Sequence, residues 1–115
     1  MRQFALIFRM DILTPDAQPS PEQMRLYMEQ WAEWIEWIRS QGRLEGGNHF
    51  HRKGKVLRPG GVVENSPYAA ESISVAGYIV VSAKDQRDAV RLASKCPILS
   101  GESTSVEVRE LAGPG

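Results

Sequence analysis

Large apolar side chains recur at every second position near the start of the chain, from Phe4 to Phe8, and the residues between them are also largely apolar. Successive side chains of a strand point to opposite faces, so this pattern is typical of a strand that is covered on one face and half covered on the other. A strand is therefore predicted over roughly residues 2 to 10. The loop composition that follows, with Pro15 and Pro19, separates this strand from the next element.

The second element is a long helix. Ser20, Pro21 and Gln23 provide an N-cap, a proline at the first helical position and a capping-box partner, which predicts that the helix begins at Pro21. Its apolar residues recur at steps of three and four and form one wide stripe that faces the core. The stripe consists of Met24, Tyr27, Met28, Trp31, Trp34, Ile35 and Ile38. Gly42 can end the helix in a left-handed conformation. Trp37 falls outside the stripe, so we expect it to be exposed in a monomer and to mark a partner surface.

The second half of the chain predicts several short strands and one more helix. Residues 43–63 are interpreted as two or three short antiparallel strands around the polar turn Arg52–Lys55, and residues 77–81 as a further strand. A cap at residues 82–85 precedes a helix that Pro97 stops. The inward face of this helix is predicted to consist of Ala89, Val90, Leu92, Ala93 and Cys96.

The last predicted strand, residues 105–111, has one solvent-exposed face and completes the order β-α-β-β(-β)-α-β. This order matches the ferredoxin-like plan, an α+β fold in which two helices cover one face of an antiparallel sheet. One domain is predicted over residues 1–112, followed by a flexible tail at residues 113–115. In a domain this small, a sheet face without helices is commonly buried against a second subunit. We therefore expect a homodimer that forms through the open sheet face.

The charge balance narrows the choice of partners. Fourteen acidic residues offset fourteen basic ones, and no cluster of Lys and Arg is interleaved with aromatic residues, which argues against nucleic acid. No apolar run approaches the roughly 20 residues that span a bilayer, so no membrane partner is expected. Cys96 is the only cysteine, and we expect a buried structural thiol in a cytoplasmic protein. The glycine pairs Gly46-Gly47 and Gly60-Gly61 lack the spacing of phosphate-binding loops, and no cofactor is expected.

Asp11, His49 and His51 are the main candidates for proton transfer. Asp11 lies at the C-terminal end of the first strand, where its carboxylate can act as a general base or can instead initiate the loop as an Asx residue. His49 and His51 lie two apart on a predicted strand, hence on one face, and Asp11 is a possible third member of the group. The histidine spacing alone is a weak metal signal, and no metal is expected.

Arg9, Arg43 and Tyr78 are candidates for binding a carboxylate or phenolate in a pocket between sheet and helix. Arginine offers a planar fork of donors, and tyrosine offers a hydroxyl on an apolar body. The alternative is surface ion pairing for the two arginines and core packing for Tyr78.

The chain resembles the YCII-related, or DGPF-domain, proteins over nearly its whole length. The residues that carry the resemblance are Phe8-Arg9-Met10-Asp11, Pro21-Glu22-Gln23-Met24, Gly42-Arg43-Leu44 with Gly46-Gly47, Val62-Val63, Gly77-Tyr78 and Cys96-Pro97. The resemblance implies a ferredoxin-like fold of the dimeric α/β-barrel type, in which two chains pair face to face.

Two motifs of that family are altered in this chain. The Asp-Gly-Pro-Phe motif corresponds here to residues 65–68, where Asn65 replaces the carboxylate by an amide and Tyr68 adds a hydroxyl to the ring. In one branch of the family, a helix histidine and an aspartate after the first strand are proposed as an active-site pair. Asp11 matches that aspartate, but the histidine position falls on Trp31, which cannot transfer the proton.

The resemblance implies two possible functions for a family whose biochemical role is mostly unassigned. One is a cofactor-independent lyase or isomerase that acts on a small cyclic or aromatic-derived acid. The other is a non-catalytic small-ligand-binding or regulatory dimer, since family members also occur beside or fused to transcription-initiation sigma factors. We assign Asp11 and His49 as the candidate catalytic residues, and Arg9, His51, Asn65, Tyr68 and Tyr78 as the candidate ligand-binding residues.

Overall fold

A computed structural model describes residues 1–113, so Pro114 and Gly115, most of the predicted tail, lie outside the described residues. Within that range the chain forms six strands and two α-helices. They are β1 Arg2–Asp11, α1 Pro21–Ser40, β2 Leu44–His49, β3 Val56–Arg58, β4 Val62–Glu64, β5 Ile73–Ala83, α2 Gln86–Ala93 and β6 Ser105–Glu110. No helix of the described residues is both long enough and apolar enough to cross a membrane.

Four of the strands form one antiparallel sheet in the order β2-β5-β1-β6, while β3 and β4 form a separate hairpin. The sheet and its two helices have the ferredoxin-like α+β arrangement, which confirms the predicted fold class. β1 pairs with β5 from Arg2 opposite Ala83 to Asp11 opposite Ile73. Between Phe8 and Arg9 the register shifts, which is characteristic of a β-bulge.

Both helices pack on the same face of this sheet, where alternate residues of the central strands are buried. The buried apolar core contains Phe4, Leu6 and Phe8 of β1, Ile79, Val81 and Ala83 of β5, Trp31, Trp34 and Ile38 of α1, Ala89, Leu92 and Ala93 of α2, and Cys96 and Ile98. The intervening residues of β1 and β5, such as Ile7 and Val80, are half-buried on the other face. The prediction of a first strand covered on one face and half covered on the other is therefore confirmed.

Helix α1 begins and ends where the sequence predicts. Ser20 Oγ accepts a hydrogen bond from the Gln23 amide at 3.2 Å, and Gln23 Oε1 accepts one from the Ser20 amide at 2.9 Å. This reciprocal capping box satisfies two amides that would otherwise lack helix partners. After the helix, Gly42 has a φ of +69°, a conformation that favours glycine. The indole of Trp34 donates to the carbonyl of Leu92 at 3.1 Å and joins the two helices.

Several predictions about side-chain burial, and the predicted end of the second helix, are wrong. Trp37 is not exposed as predicted, because it is half-buried against the core and Lys95 Nζ lies 5.2 Å from its ring centroid. Met28 of the predicted core stripe is 45% exposed, and Val90 of the second helix is 47% exposed. Helix α2 ends at Ala93, before Pro97 is reached.

An ion pair attaches the N-terminus of α2 to the start of β2. Arg43 Nη1 lies 2.8 Å from Asp88 Oδ2 and donates a further hydrogen bond to the carbonyl of Ser82 at 3.1 Å. The Lys84 amide also donates to Asp88 Oδ2, at 3.0 Å. Because these bonds favour the charged form, they hold the pKa of Asp88 well below its usual range. Arg43 therefore has a structural role, in agreement with the ion-pairing alternative.

Candidate ligand-binding cavity

A cavity of about 170 Å³, here called the histidine cavity, lies between α1 and the C-terminal end of β2. Its wall is largely apolar and aromatic, and its polar groups are the exposed side chains of His49, His51 and Arg52 and the hydroxyl of half-buried Tyr27. The lining residues are Phe8, Met10, Ile12, Met24, Tyr27, Met28, Trp31, His49, Phe50, His51, Arg52, Pro67, Val75, Ala76 and Ile98. Both histidines line this cavity, although β2 ends at His49, so His51 lies beyond the strand on which both residues were predicted.

His49 is placed by the close approach of two strands. It is the last residue of β2 and lies opposite Gly77 of β5. A Cβ atom at Gly77 would lie 2.7 Å from the Asn48 carbonyl oxygen and 3.0 Å from His49 Cα, so only glycine permits this approach. Gly47 is constrained in the same way, because its Cβ would lie 2.4 Å from the Tyr78 carbonyl oxygen. These two glycines allow β2 to present His49 beside α1.

Trp31 forms the aromatic wall next to His49. The centroids of the two rings are 5.6 Å apart. Trp31 also has edge contacts with Phe8 at 4.8 Å and Trp34 at 5.4 Å, and a tilted contact with Tyr27 at 5.8 Å. Such packing fixes the orientation of the indole, so this side of the cavity is largely pre-formed.

His51 and Arg52 provide the other polar groups of the wall. His51 Nδ1 accepts a hydrogen bond from the Lys53 amide at 3.0 Å, so the neutral ring carries its proton on Nε2. Arg52 donates to the Gln18 side chain. Beside them Phe50 is 52% exposed, and its ring centroid lies 5.8 Å from that of Tyr78. The mouth of the cavity thus combines hydrogen-bond donors with an aromatic edge.

Asp11 does not line the histidine cavity. Its Oδ1 accepts hydrogen bonds from the amides of Leu13 and Thr14, both at 2.9 Å, which is the Asx-type arrangement. Because those amides stabilise the charged form, the pKa of Asp11 is lowered. Asp11 lines a neighbouring cavity of about 530 Å³, which shares Met10, Met24, Tyr27 and Ile98 with the histidine cavity. The structure therefore does not combine it with His49 and His51 into one site.

Arg9 and Tyr78 lie on the face of the sheet that the helices leave open. Arg9 Nη1 is 2.6 Å from Glu107 Oε1, so the arginine forms a surface ion pair, not part of a pocket between sheet and helix. Tyr78 lies opposite Ile7 of β1 and Asn48 of β2. It also borders a shallow groove of about 350 Å³ that includes Trp31, Gly47 and His49.

Asn65 and Tyr68 lie in the turn that precedes β5. Both are exposed, Tyr68 by 66%, and neither lines the histidine cavity. The Ser74 hydroxyl donates to the Tyr68 carbonyl and anchors the turn. Only Pro67 of this motif reaches the cavity wall. The structure thus gives the proline a place in the site and leaves the two neighbouring side chains outside it.

The sequence assigned several cavity residues to the core alone. Tyr27 is half-buried, and burial raises the pKa of its hydroxyl to about 12, so it stays protonated at neutral pH. Met24 and Trp31 were predicted on the same apolar stripe. A stripe that faces the core and one that faces a cavity have the same periodicity, so the pattern does not distinguish them. Only Trp31 was linked to a site, because it falls where one branch of the family has its proposed active-site histidine.

Among residues 1–113, no group of three or more His, Cys, Asp or Glu side chains could hold a metal ion. Cys96 is buried, as predicted, and burial raises the pKa of its thiol to about 12. A thiol in this state is a poor nucleophile at neutral pH.

Comparison with known proteins gives no assignment. No family model matches the chain, and no curated protein matches it either.

Proposed function

We propose that the protein is a small-ligand-binding module, related to the YCII family, that takes a compact cyclic or aromatic acid into the histidine cavity. The observation that carries this proposal is the cavity itself, where an aromatic wall and two imidazoles converge on one space. Apolar walls with a few convergent polar groups are typical of small-molecule sites.

The volume of the cavity limits the size of the ligand. Sites for drug-sized molecules usually measure about 300 to 1,000 Å³, whereas this cavity measures about 170 Å³. A cavity of roughly 150 Å³ in another protein accommodates benzene. A single ring with one small substituent therefore fits best.

The polar groups of the cavity favour an anionic substituent. His49, His51 and Arg52 contribute donors, and the described lining contains no Asp or Glu. Hydrogen bonds from imidazole and guanidinium groups to a carboxylate are charge-assisted and stronger than those between neutral groups. A ligand whose carboxylate lies at the mouth and whose ring packs against Trp31 matches both the polar donors and the aromatic wall of the cavity.

A second part of the proposal concerns assembly through the open sheet face. The centre of this face is formed by half-buried apolar residues of β1 and β5: Ala5, Ile7, Tyr78 and Val80. Towards β6 the face carries both charge signs, with Glu107 between Arg9 and Arg109. An apolar centre with a self-complementary charged edge suits pairing of two identical faces around a two-fold axis. The family resemblance implies the same pairing.

The catalytic alternative retains His49 as its central residue. An exposed histidine beside an apolar wall is able to exchange a proton with a bound acid. Asp11, the residue expected to assist it, is bound to its own loop. Binding without chemistry is therefore the function that the geometry supports best.

The test is calorimetric titration with benzoate, with benzamide as the uncharged ligand and acetate as the ligand without a ring. We expect benzoate to bind more tightly than either, with a dissociation constant of about 1 mM or below. His49→Ala should weaken benzoate binding by at least about tenfold, because a hydrogen bond to a charged group is lost. Lys84→Ala, which changes an exposed residue outside the cavity, is the control. Equal affinities for benzoate and acetate, or an unchanged affinity in His49→Ala, would contradict the proposal.

A further inference from the structure

The hairpin of β3 and β4 exposes apolar side chains and pairs with no strand of the four-stranded sheet. We call residues 53–64 the arm. Leu57 and Val63 lie opposite each other in its register and therefore share one face, yet they are 76% and 51% exposed. A hairpin with strands of three residues is at best marginally stable alone. An exposed apolar pair on such a hairpin calls for a partner surface.

The dimensions of the molecule agree with a projecting arm. The radius of gyration is 15.5 Å, whereas a compact domain of this length has a value of about 13 Å. The hairpin also shares no hydrogen-bonded strand with the four-stranded sheet. Much of its surface is therefore open to another molecule.

The arm differs in charge from the rest of the chain. It contains three basic residues, Lys53, Lys55 and Arg58, and one acidic residue, Glu64, which gives a net charge of +2. Because the whole chain is neutral, the remainder has a net charge of −2. Arg58 is paired with Glu64 on the hairpin itself. Within the described residues, Lys53 and Lys55 form no ion pair and so provide the available positive charge of the arm.

The cavity of about 530 Å³ that Asp11 lines has the opposite character. We call it the acidic cavity. Met24, Tyr27 and Ile98 form part of its apolar floor, and Asp16 and Glu102 stand on its rim. Its described lining contains no Lys or Arg, and neither rim carboxylate forms an ion pair within residues 1–113. The acidic cavity thus offers an apolar floor with unpaired negative charge around it.

We infer that the arm of one copy docks into the acidic cavity of a second copy within the proposed dimer. Leu57 and Val63 cover the apolar floor, and Lys53 and Lys55 approach Asp16 and Glu102. A two-fold dimer repeats the contact, so each copy both gives and receives an arm. The inference rests on the proposed dimer. It adds a second contact to the sheet-face contact, in which the basic arm of one copy meets the acidic cavity of the other.

A charge-swap experiment tests the contact. Sedimentation velocity measures the dimer dissociation constant of the full chain, of Lys55→Glu, of Asp16→Lys and of the double variant. We expect each single reversal to raise the dissociation constant at least about fivefold, and the double variant to restore much of the loss. Lys84→Glu changes an exposed lysine outside the arm and serves as the control. Circular dichroism verifies that each variant is folded.

The outcomes separate this inference from the proposed dimer. A dimer whose dissociation constant is the same in both single variants overturns the arm contact and leaves the sheet-face dimer standing. A chain that is monomeric throughout overturns both.

A cross-link distinguishes docking between copies from docking within one copy. The only native cysteine, Cys96, is buried, so Leu57→Cys together with Glu102→Cys introduces two accessible thiols. Mild oxidation should give a covalent dimer by mass spectrometry under denaturing conditions. The single variant Glu102→Cys is the control for unspecific coupling. A covalent bond within one monomer, or no bond beyond that of the control, contradicts docking on a second copy.

Discussion

Asp11 and His49 show how the backbone around a side chain determines its chemistry. Both are ionisable residues next to a cavity. The carboxylate of Asp11 already accepts two amide hydrogen bonds from its own loop, which lower its pKa and occupy Oδ1. His49 stands at the exposed end of a strand, against the ring of Trp31. The first arrangement stabilises a turn, whereas the second leaves an imidazole available to a ligand.

Asp11→Ala should therefore affect stability and leave binding intact. We expect the affinity for benzoate to change by less than about threefold, as for substitutions outside a site. The melting temperature should fall at pH 7, because the loop loses both amide hydrogen bonds. The folded-state pKa of Asp11 is lowered, so its stabilising contribution exists at neutral pH and is lost as the pH falls through that pKa. Melting temperatures of the two proteins should then approach each other as the pH falls below the unfolded-state pKa of an aspartate, about 3.9. Loss of benzoate binding in Asp11→Ala would contradict this expectation and show that Asp11 takes part in ligand binding.

At the scale of elements, local signals fix the ends of the helices, whereas the exposure of single side chains depends on the neighbouring elements. The capping box at Ser20 and the left-handed Gly42 were predictable, because both act within a few residues. Trp37 was predicted to be exposed from its helical angle alone, but Lys95 beyond the end of α2 covers it. The histidine cavity was only partly predictable: the spacing placed His49 and His51 on one strand, whereas β2 ends at His49 and the cavity wall depends on how α1 crosses the sheet.

Helix α2 depends on Asp88, which predicts a pH-dependent loss of stability. Its side chain is 13% exposed, and it joins Arg43, Arg91 and the Lys84 amide. Asp88→Asn should lower the free energy of unfolding by about 1 to 3 kcal/mol at pH 7, less than for a fully buried pair. The folded-state pKa is lowered, so the wild-type contribution is complete above about pH 5 and fades as the pH falls below the unfolded value near 4.

Urea unfolding of the wild type and of Asp88→Asn at pH 7 and pH 3 measures the difference between their free energies of unfolding. Glu36→Gln, which removes an exposed ion pair with Arg39, is the matched control and should change stability by less than about 1 kcal/mol. A difference between wild type and Asp88→Asn that grows at pH 3 would show that the ion pair does not stabilise the folded state.

At the scale of the whole molecule, two helices cover only one face of the sheet, and the proposed dimer forms through the other face. Ile7 lies near the middle of this open face, half-buried between the central strands. Ile7→Glu places a charge where the proposed dimer would remove it from water, and an unpaired buried charge is strongly unfavourable. We expect this variant to be monomeric in sedimentation equilibrium at concentrations where the wild type is dimeric. Leu26→Glu alters an exposed apolar residue of α1 and should leave the dimer intact. A dimer that persists in Ile7→Glu and dissociates in Leu26→Glu would move the interface from the sheet to the helix layer.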